Sequence, residues 1–183
     1  RVACAVTLLL ALHGTARADD VDAQTAWRLL DYIAVDYAGA VEHGKIVSES
    51  EYAEQVEFAA TVAARIGALP EHPARADLLG GVAQLQAAIA RKADAAQVAT
   101  QARALGAALL AAYPVAVAPA RTPDLALGTR LYAQQCASCH GANGDGHRSA
   151  AAALSPAPIA FDDAARARQR SLLALYQTIT QGV

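Results

Sequence analysis

The sequence predicts an all-α protein: a four-helix up-down bundle followed by a smaller, separate helical domain. Three observations predict it. Apolar residues recur at helical spacing in four successive segments. Alanine, the best helix former, makes up about a quarter of the chain. Three prolines within residues 114–123 then break the pattern and mark a semi-rigid linker. The 183 residues leave room for one or two small domains. A formal charge of 15 − 17 = −2 supplies no basic excess to grip a phosphate backbone, so no nucleic-acid partner is expected. With 12 Gly and 7 Pro, composition argues against disorder.

Residues 1–18 read as a secretory signal peptide. Arg1 is the remnant of a basic start, Val2 to Leu12 form a short apolar run, and Ala16-Arg17-Ala18 offers a small-x-small cleavage site before Asp19. The run is too short to span a bilayer well. Cys4 lies at the start of that run, well ahead of the cleavage site, and so is not placed as a lipoprotein cysteine would be. Processing would leave Cys136 and Cys139 as the mature cysteines, in a periplasmic or other extracytoplasmic setting. No Met occurs, not even an initiator, so the sequence is expected to be a piece of a longer one.

The first bundle helix is expected over about residues 22–42, with Trp27, Leu30, Ala34, Tyr37 and Val41 as its apolar stripe and His43-Gly44 as its end. Ser48-Glu49-Ser50-Glu51 is a capping box that opens the second, whose stripe is Tyr52, Val56, Ala59, Ala63 and Ile66; Gly67 and Pro70 stop it. The third carries Leu78, Val82, Leu85 and Ile89, and the fourth Val98, Ala102, Leu105, Leu109 and Ala112. Short connections make such helices antiparallel neighbours. The bundle is thus assigned to residues 19–113, the linker to 114–123, and the second domain to 124–183. There, Thr122-Pro123-Asp124 reads as a helix start with Thr122 as N-cap. Helices follow over about Leu125–Gln135 and Ser171–Gln181, separated by a loop from Gly141 to Pro158. Sixty residues are thin for a core unless a cofactor adds apolar surface.

Cys136-Ala137-Ser138-Cys139-His140 is C-x-x-C-H, the spacing for c-type haem attachment. Cys136 and Cys139 would add to the two vinyl groups of one covalently bound haem, and His140 would ligate its iron. A thioredoxin-like dithiol needs a βαβ context that is not visible. A zinc site needs two more soft ligands, and no third mature cysteine exists.

The stretch Leu127-Gly128-Thr-Arg-Leu131-Tyr132-Ala-Gln-Gln135-Cys136-Ala-Ser-Cys139-His140-Gly141 resembles the opening of a class I cytochrome c. The resemblance implies that Gly128 and Tyr132 pack this helix against a C-terminal helix, and that a proline carbonyl, Pro156 or Pro158, accepts a hydrogen bond from His140. It also implies a methionine as second axial ligand. With no Met here, the resemblance covers roughly two-thirds of such a domain, and the sixth ligand and closing helix are expected beyond Val183. His147 follows His140 too closely to reach the opposite ring face, and His43 and His72 read as solvated histidines at helix ends.

An exported helical bundle with Leu30-Asp31-Tyr32-Ile33-Ala34-Val35-Asp36-Tyr37, a proline linker and a C-x-x-C-H domain occur here in that order. The order resembles the N-terminal extramembrane region of bacterial iron permeases fused to a cytochrome c. The resemblance implies an electron-transfer module of an iron-uptake system, tethered to the inner membrane, with iron ions as substrate and a permease domain as partner. That family's Arg-Glu-x-x-Glu permeation motif is absent from these residues. Hard oxygen donors suit iron. Asp31 and Glu42 project within about 20° of each other, three turns apart, beside the first stripe, and Glu54 and Glu57 lie one turn apart opposite the second. Asp36, Tyr32 and Tyr37 complete the candidate set for an iron site that takes ferrous iron and passes its electron to the haem; solvated acidic faces are the alternative. Competing functions are a general periplasmic electron carrier, the haem subunit of a membrane dehydrogenase or oxidase, and a haem-based sensor. No nucleophile–base pair or phosphate loop supports an enzyme acting on an organic substrate.

Overall fold

In a computed structural model of the chain, residues 18–116, 121–146, 154 and 157–181 are described. The signal peptide expected at the N-terminus, Pro156 and His147 lie outside those residues, apart from Ala18. Among the described residues the architecture is helical, with one two-residue antiparallel hairpin.

Four helices build the bundle: α1 (Ala18–Ala40), α2 (Glu49–Ala68), α3 (Arg75–Ala90) and α4 (Ala95–Ala112). Helix α1 packs on both α2 and α4, and α3 closes the ring against the same two. One continuous core fills the centre, including Leu30, Ile33, Tyr37, Val62, Ile66, Leu85, Ile89 and Leu109. The stripes expected for α3 and α4 are buried at Leu78, Val82, Leu85, Ile89, Val98, Ala102, Leu105 and Leu109. In α1, Leu30, Ala34, Tyr37 and Val41 are buried and Trp27 packs against their edge. A Cβ on Gly106 would lie 3.4 Å from the Trp27 ring, so the small residue sets how closely α4 approaches α1.

Helix α2 keeps Ala59 and Ile66 of its expected stripe in the core, with Tyr52 and Ala63 packed against it, and departs from expectation at Val56. Its inward face is Gln55, Phe58, Ala59, Val62 and Ile66, while Val56 is 46% exposed. Phe58 and Val62 bury more apolar surface together than Tyr52 and Val56 would, and Tyr52 instead donates its hydroxyl to the Ile89 carbonyl at the rim.

The first helix ends two residues earlier than expected. Val41–Glu42 forms β1 and pairs with β2, Lys45–Ile46, around His43 and Gly44, both at positive φ as a two-residue hairpin turn requires. Ser48 caps α2 through Glu51 N–H at 3.4 Å, but its own N–H turns back to the Ala40 carbonyl, so the capping box is only half formed.

Beyond the linker, α5 (Leu125–Gln135) has Asp124, not Thr122, as its cap: the Asp124 carboxylate accepts from Leu127 N–H at 2.9 Å. A single turn, α6 (Ala137–His140), follows, then a short α7 (Ala164–Ala167) and α8 (Leu172–Gln181). No residue of α5 or α6 is buried. Helix α8 buries Leu173, Ala174 and Gln177 and contacts α1 of the bundle. No helix among the described residues is long and apolar enough to cross a membrane.

Candidate haem-binding site

The C-x-x-C-H residues occupy one helical turn. Cys136 ends α5, its N–H donating to the Tyr132 carbonyl, and its own carbonyl accepts from the N–H groups of Cys139 and His140 at 3.1 and 2.9 Å. Residues three and four apart on such a turn share a face, so two thiols and an imidazole are presented together. Both cysteines are half-buried and free of a disulfide.

Glycines then fold the following loop back under this turn. Gly141 sits at φ +84, and a Cβ there would collide with the Asp145 carboxylate. Gly146 at φ +69 donates its N–H to the His140 carbonyl at 2.8 Å, and a Cβ on it would lie 3.0 Å from the Pro158 carbonyl oxygen. The returning strand is held by Phe161 N–H to the Gly144 carbonyl at 2.6 Å. Tyr132 donates its hydroxyl to the Gly141 carbonyl at 2.7 Å and meets Phe161 edge-on. A Cβ on Gly128 would meet nothing within 4 Å.

The loop fixes the imidazole. His140 Nδ1 lies 3.0 Å from the Ile159 carbonyl oxygen. A carbonyl can only accept, so Nδ1 carries the proton and the lone pair is on Nε2, the tautomer a metal-ligating histidine needs. The acceptor is the residue after Pro158, not Pro158 itself. Phe161 stacks on the imidazole face at 4.4 Å and 18°, a contact with the ring face rather than with the in-plane Nε2. Sequence reading missed Ile159 and Phe161; the signal was an apolar pair just after Pro158, within a loop otherwise rich in small residues.

These residues fit a haem c. Two free thiols stand three residues apart, the imidazole keeps its lone pair on Nε2, and the segment carries exposed apolar side chains at Leu127, Leu131, Ile159 and Phe161 on which an apolar macrocycle can lie.

The candidate iron ligands are not brought together. Among the described residues, no three His, Cys, Asp or Glu side chains converge as a metal site would require. Asp31 pairs with Arg170 at 3.3 Å, and Asp36 pairs with Arg166 at 2.7 Å and more closely with Arg170. Burial pushes the Asp31 carboxyl above the usual aspartate range by more than the Arg170 guanidinium pulls it down. Glu42 is exposed beside His43, and Glu54 and Glu57 are exposed on α2. Partial desolvation, then the nearby charges of Glu51, Asp36 and Glu57, raises the Glu54 carboxyl. Tyr37 is buried and donates to the Ala93 carbonyl, so it is a core residue. Tyr32 shares a hydrogen bond with Thr178 at 2.5 Å. His72 accepts from Ala74 N–H and meets the Tyr113 ring at a tilt, and His43 lies in the exposed hairpin turn.

An all-helical bundle followed by a cytochrome c-type attachment turn defines a haem electron-transfer module. Comparison with known families agrees: residues 15–116 match the iron permease-associated 4-helix bundle domain, and residues 123–183 match cytochrome C oxidase, cbb3-type, subunit III. The chain belongs to the iron permease-associated four-helix bundle family, with a cytochrome c-type domain following the bundle. That domain implies covalently bound haem c, and the pairing links haem electron transfer to iron uptake. No curated protein and no solved structure matches the chain.

Proposed function

We propose that this chain is the extracytoplasmic electron-transfer module of an iron permease, taking one electron from ferrous iron as that iron is imported. In this reading the bundle spans residues 19–113, the linker 114–123 and the haem domain 124–183. One haem c is bonded through Cys136 and Cys139, with His140 as axial ligand. When bound, the haem supplies a one-electron ferric/ferrous couple. The chain's own residues do the rest. Ile159 holds the His140 tautomer, Phe161 fixes the ring plane, and the glycine loop keeps both under the thiol-bearing turn.

The observation that carries this reading is the pairing, in one chain, of an iron permease-associated bundle with a C-x-x-C-H turn whose histidine has its Nδ1 held by a backbone carbonyl. Iron ions are substrate, and one ferrous ion is oxidised to ferric for each electron accepted. Of the candidate carboxylates on the bundle, Glu42, Glu54 and Glu57 are exposed, whereas Asp31 and Asp36 hold arginines. A membrane permease domain is the partner that would receive the ferric ion, and the periplasm is the setting in which haem c is attached.

The test is anaerobic addition of ferrous iron to the oxidised, haem-loaded chain. The reduced haem bands are expected to grow, and Glu54→Gln with Glu57→Gln slows their growth. The match of residues 123–183 to an oxidase subunit favours a second reading, the haem subunit of a membrane oxidase. Bands that ferrous iron leaves unchanged, but a quinol-fed membrane dehydrogenase reduces, would select it.

A further inference from the structure

Helix α1 has a second working face beside its core stripe. Arg28, Asp31, Tyr32 and Asp36 recur at three- and four-residue spacing along it and meet residues 166–178. Arg28 donates to the Gln177 carbonyl at 3.5 Å. The Arg170 guanidinium pairs with both Asp31 and Asp36 and lies over the Tyr32 ring at 4.3 Å. Arg166 pairs with Asp36 at 2.7 Å, and Tyr32 bonds Thr178. The Arg170 side chain is 9% exposed and each aspartate 15%.

Two carboxylates thus face two guanidinium groups, and each charge is compensated by its neighbours. The apolar burial in this contact is small, only Leu173 and Ala174 from α8. Charge pairing at this depth fixes register better than so little apolar surface can, because a slip of one residue would leave a desolvated charge unpaired. The same helix keeps Leu172, Leu175, Tyr176 and Ile179 exposed, so its bundle-facing side is narrow.

We propose that this face of α1 is a dock for the C-terminal, haem-bearing part of the chain, with residues 166–178 as its occupant and the Asp31–Arg170–Asp36–Arg166 set as its fastening. A dock fastened by charge opens when one partner of a desolvated pair is removed, whereas the bundle core does not. Opening frees α8 from α1 and changes where the haem-bearing segment stands against the bundle, with the four bundle helices left folded. The inference stands on the α1 contact alone and holds whether or not iron is the electron donor.

Hydrogen exchange read by mass spectrometry on the full, haem-loaded chain tests it. Arg170→Gln or Asp36→Asn should speed exchange of the 172–181 amides about tenfold or more, with α3 and α4 unchanged. Reversing all four charges, Asp31→Arg and Asp36→Arg with Arg166→Asp and Arg170→Asp, should restore protection. Exchange over 172–181 that is indifferent to Arg170→Gln and to Asp36→Asn would overturn the dock. So would equal acceleration in α3 and α4, which would make the charges part of the bundle's own stability.

Discussion

The bundle and the haem-bearing segment are both helical, yet they reach order by different means. The bundle buries a continuous apolar core drawn from four helices, and the hydroxyls of Tyr37, Tyr52 and Tyr113 are tied off against backbone carbonyls. The segment from α5 onward has no such core: α5 and α6 bury nothing, and α8 buries its inner face on α1. Its local order comes from backbone hydrogen bonds, positive-φ glycines and the stack of Phe161 on His140. The difference teaches that a domain built around a prosthetic group can fix the group's ligands locally and leave much of its apolar surface for the group itself.

The largest expected effect sharpens this contrast directly. Ile33→Ala, at a fully buried position, should cost the bundle about 2–5 kcal/mol, read as a shift of the urea midpoint. Leu131→Ala on α5 should change the same bundle transition by less than about 0.5 kcal/mol. Equal losses would mean the two regions share one core.

Next comes the loop that fixes the ligand. Gly141→Ala forces a side chain onto φ +84 and into the Asp145 carboxylate, a strain of about 1–3 kcal/mol. It should lower the yield of covalent haem per chain, measured by pyridine haemochrome against protein. Gly128→Ala, with nothing within 4 Å of the added Cβ, should leave that yield unchanged.

The two docking aspartates should then separate. Asp36→Asn removes the carboxylate that two arginines share, a loss of about 1–2 kcal/mol for a half-desolvated pair. Asp31→Asn should cost less at pH 7. Burial outweighs Arg170 and raises the Asp31 carboxyl, so its favourable contribution is complete only below the ordinary aspartate value and is lost as pH rises through the raised one. Exchange of the 172–181 amides at pH 7 ranks the two, and the reverse order would contradict this account.

The smallest effect is at Glu54. Its carboxyl is raised by partial desolvation and by Glu51, Asp36 and Glu57, so by the same sign its charged form opposes folding at neutral pH. Glu54→Gln should raise the thermal midpoint slightly at pH 7. The gain should vanish as pH falls to the ordinary glutamate value.

Much of this was legible in the sequence, and the exceptions are instructive. The stripes of α1, α3 and α4 show in their periodicity because most of their Leu, Ile and Val residues sit where the core is. In α2, Tyr52 and Val56 imitate a stripe, and only packing against α1 and α3 selects Phe58, Val62 and the buried Gln55 instead. The hairpin at His43-Gly44 was read as a helix stop because both begin with the same positive-φ signal. The C-x-x-C-H turn could be found by spacing alone, since its chemistry is local. Its supporting carbonyl could not be fixed, because Ile159 reaches His140 across 19 residues of loop. The carboxylates of α1 looked like hard-metal ligands in projection. Their actual partners, Arg166 and Arg170, lie 130 to 139 residues away, a separation that no helical wheel can register.

The central claim is that Cys136 and Cys139 carry haem c on the turn that His140 completes. Its most direct measurement is the mass of the tryptic peptide containing Cys136–His140, from full chain made in a host that matures cytochromes c and then denatured. The account predicts one haem bonded to that peptide, with an intermediate loss in Cys136→Ser or Cys139→Ser and a complete loss in the double variant. A peptide of unmodified mass, with the haem extracted into acidified acetone, would contradict it.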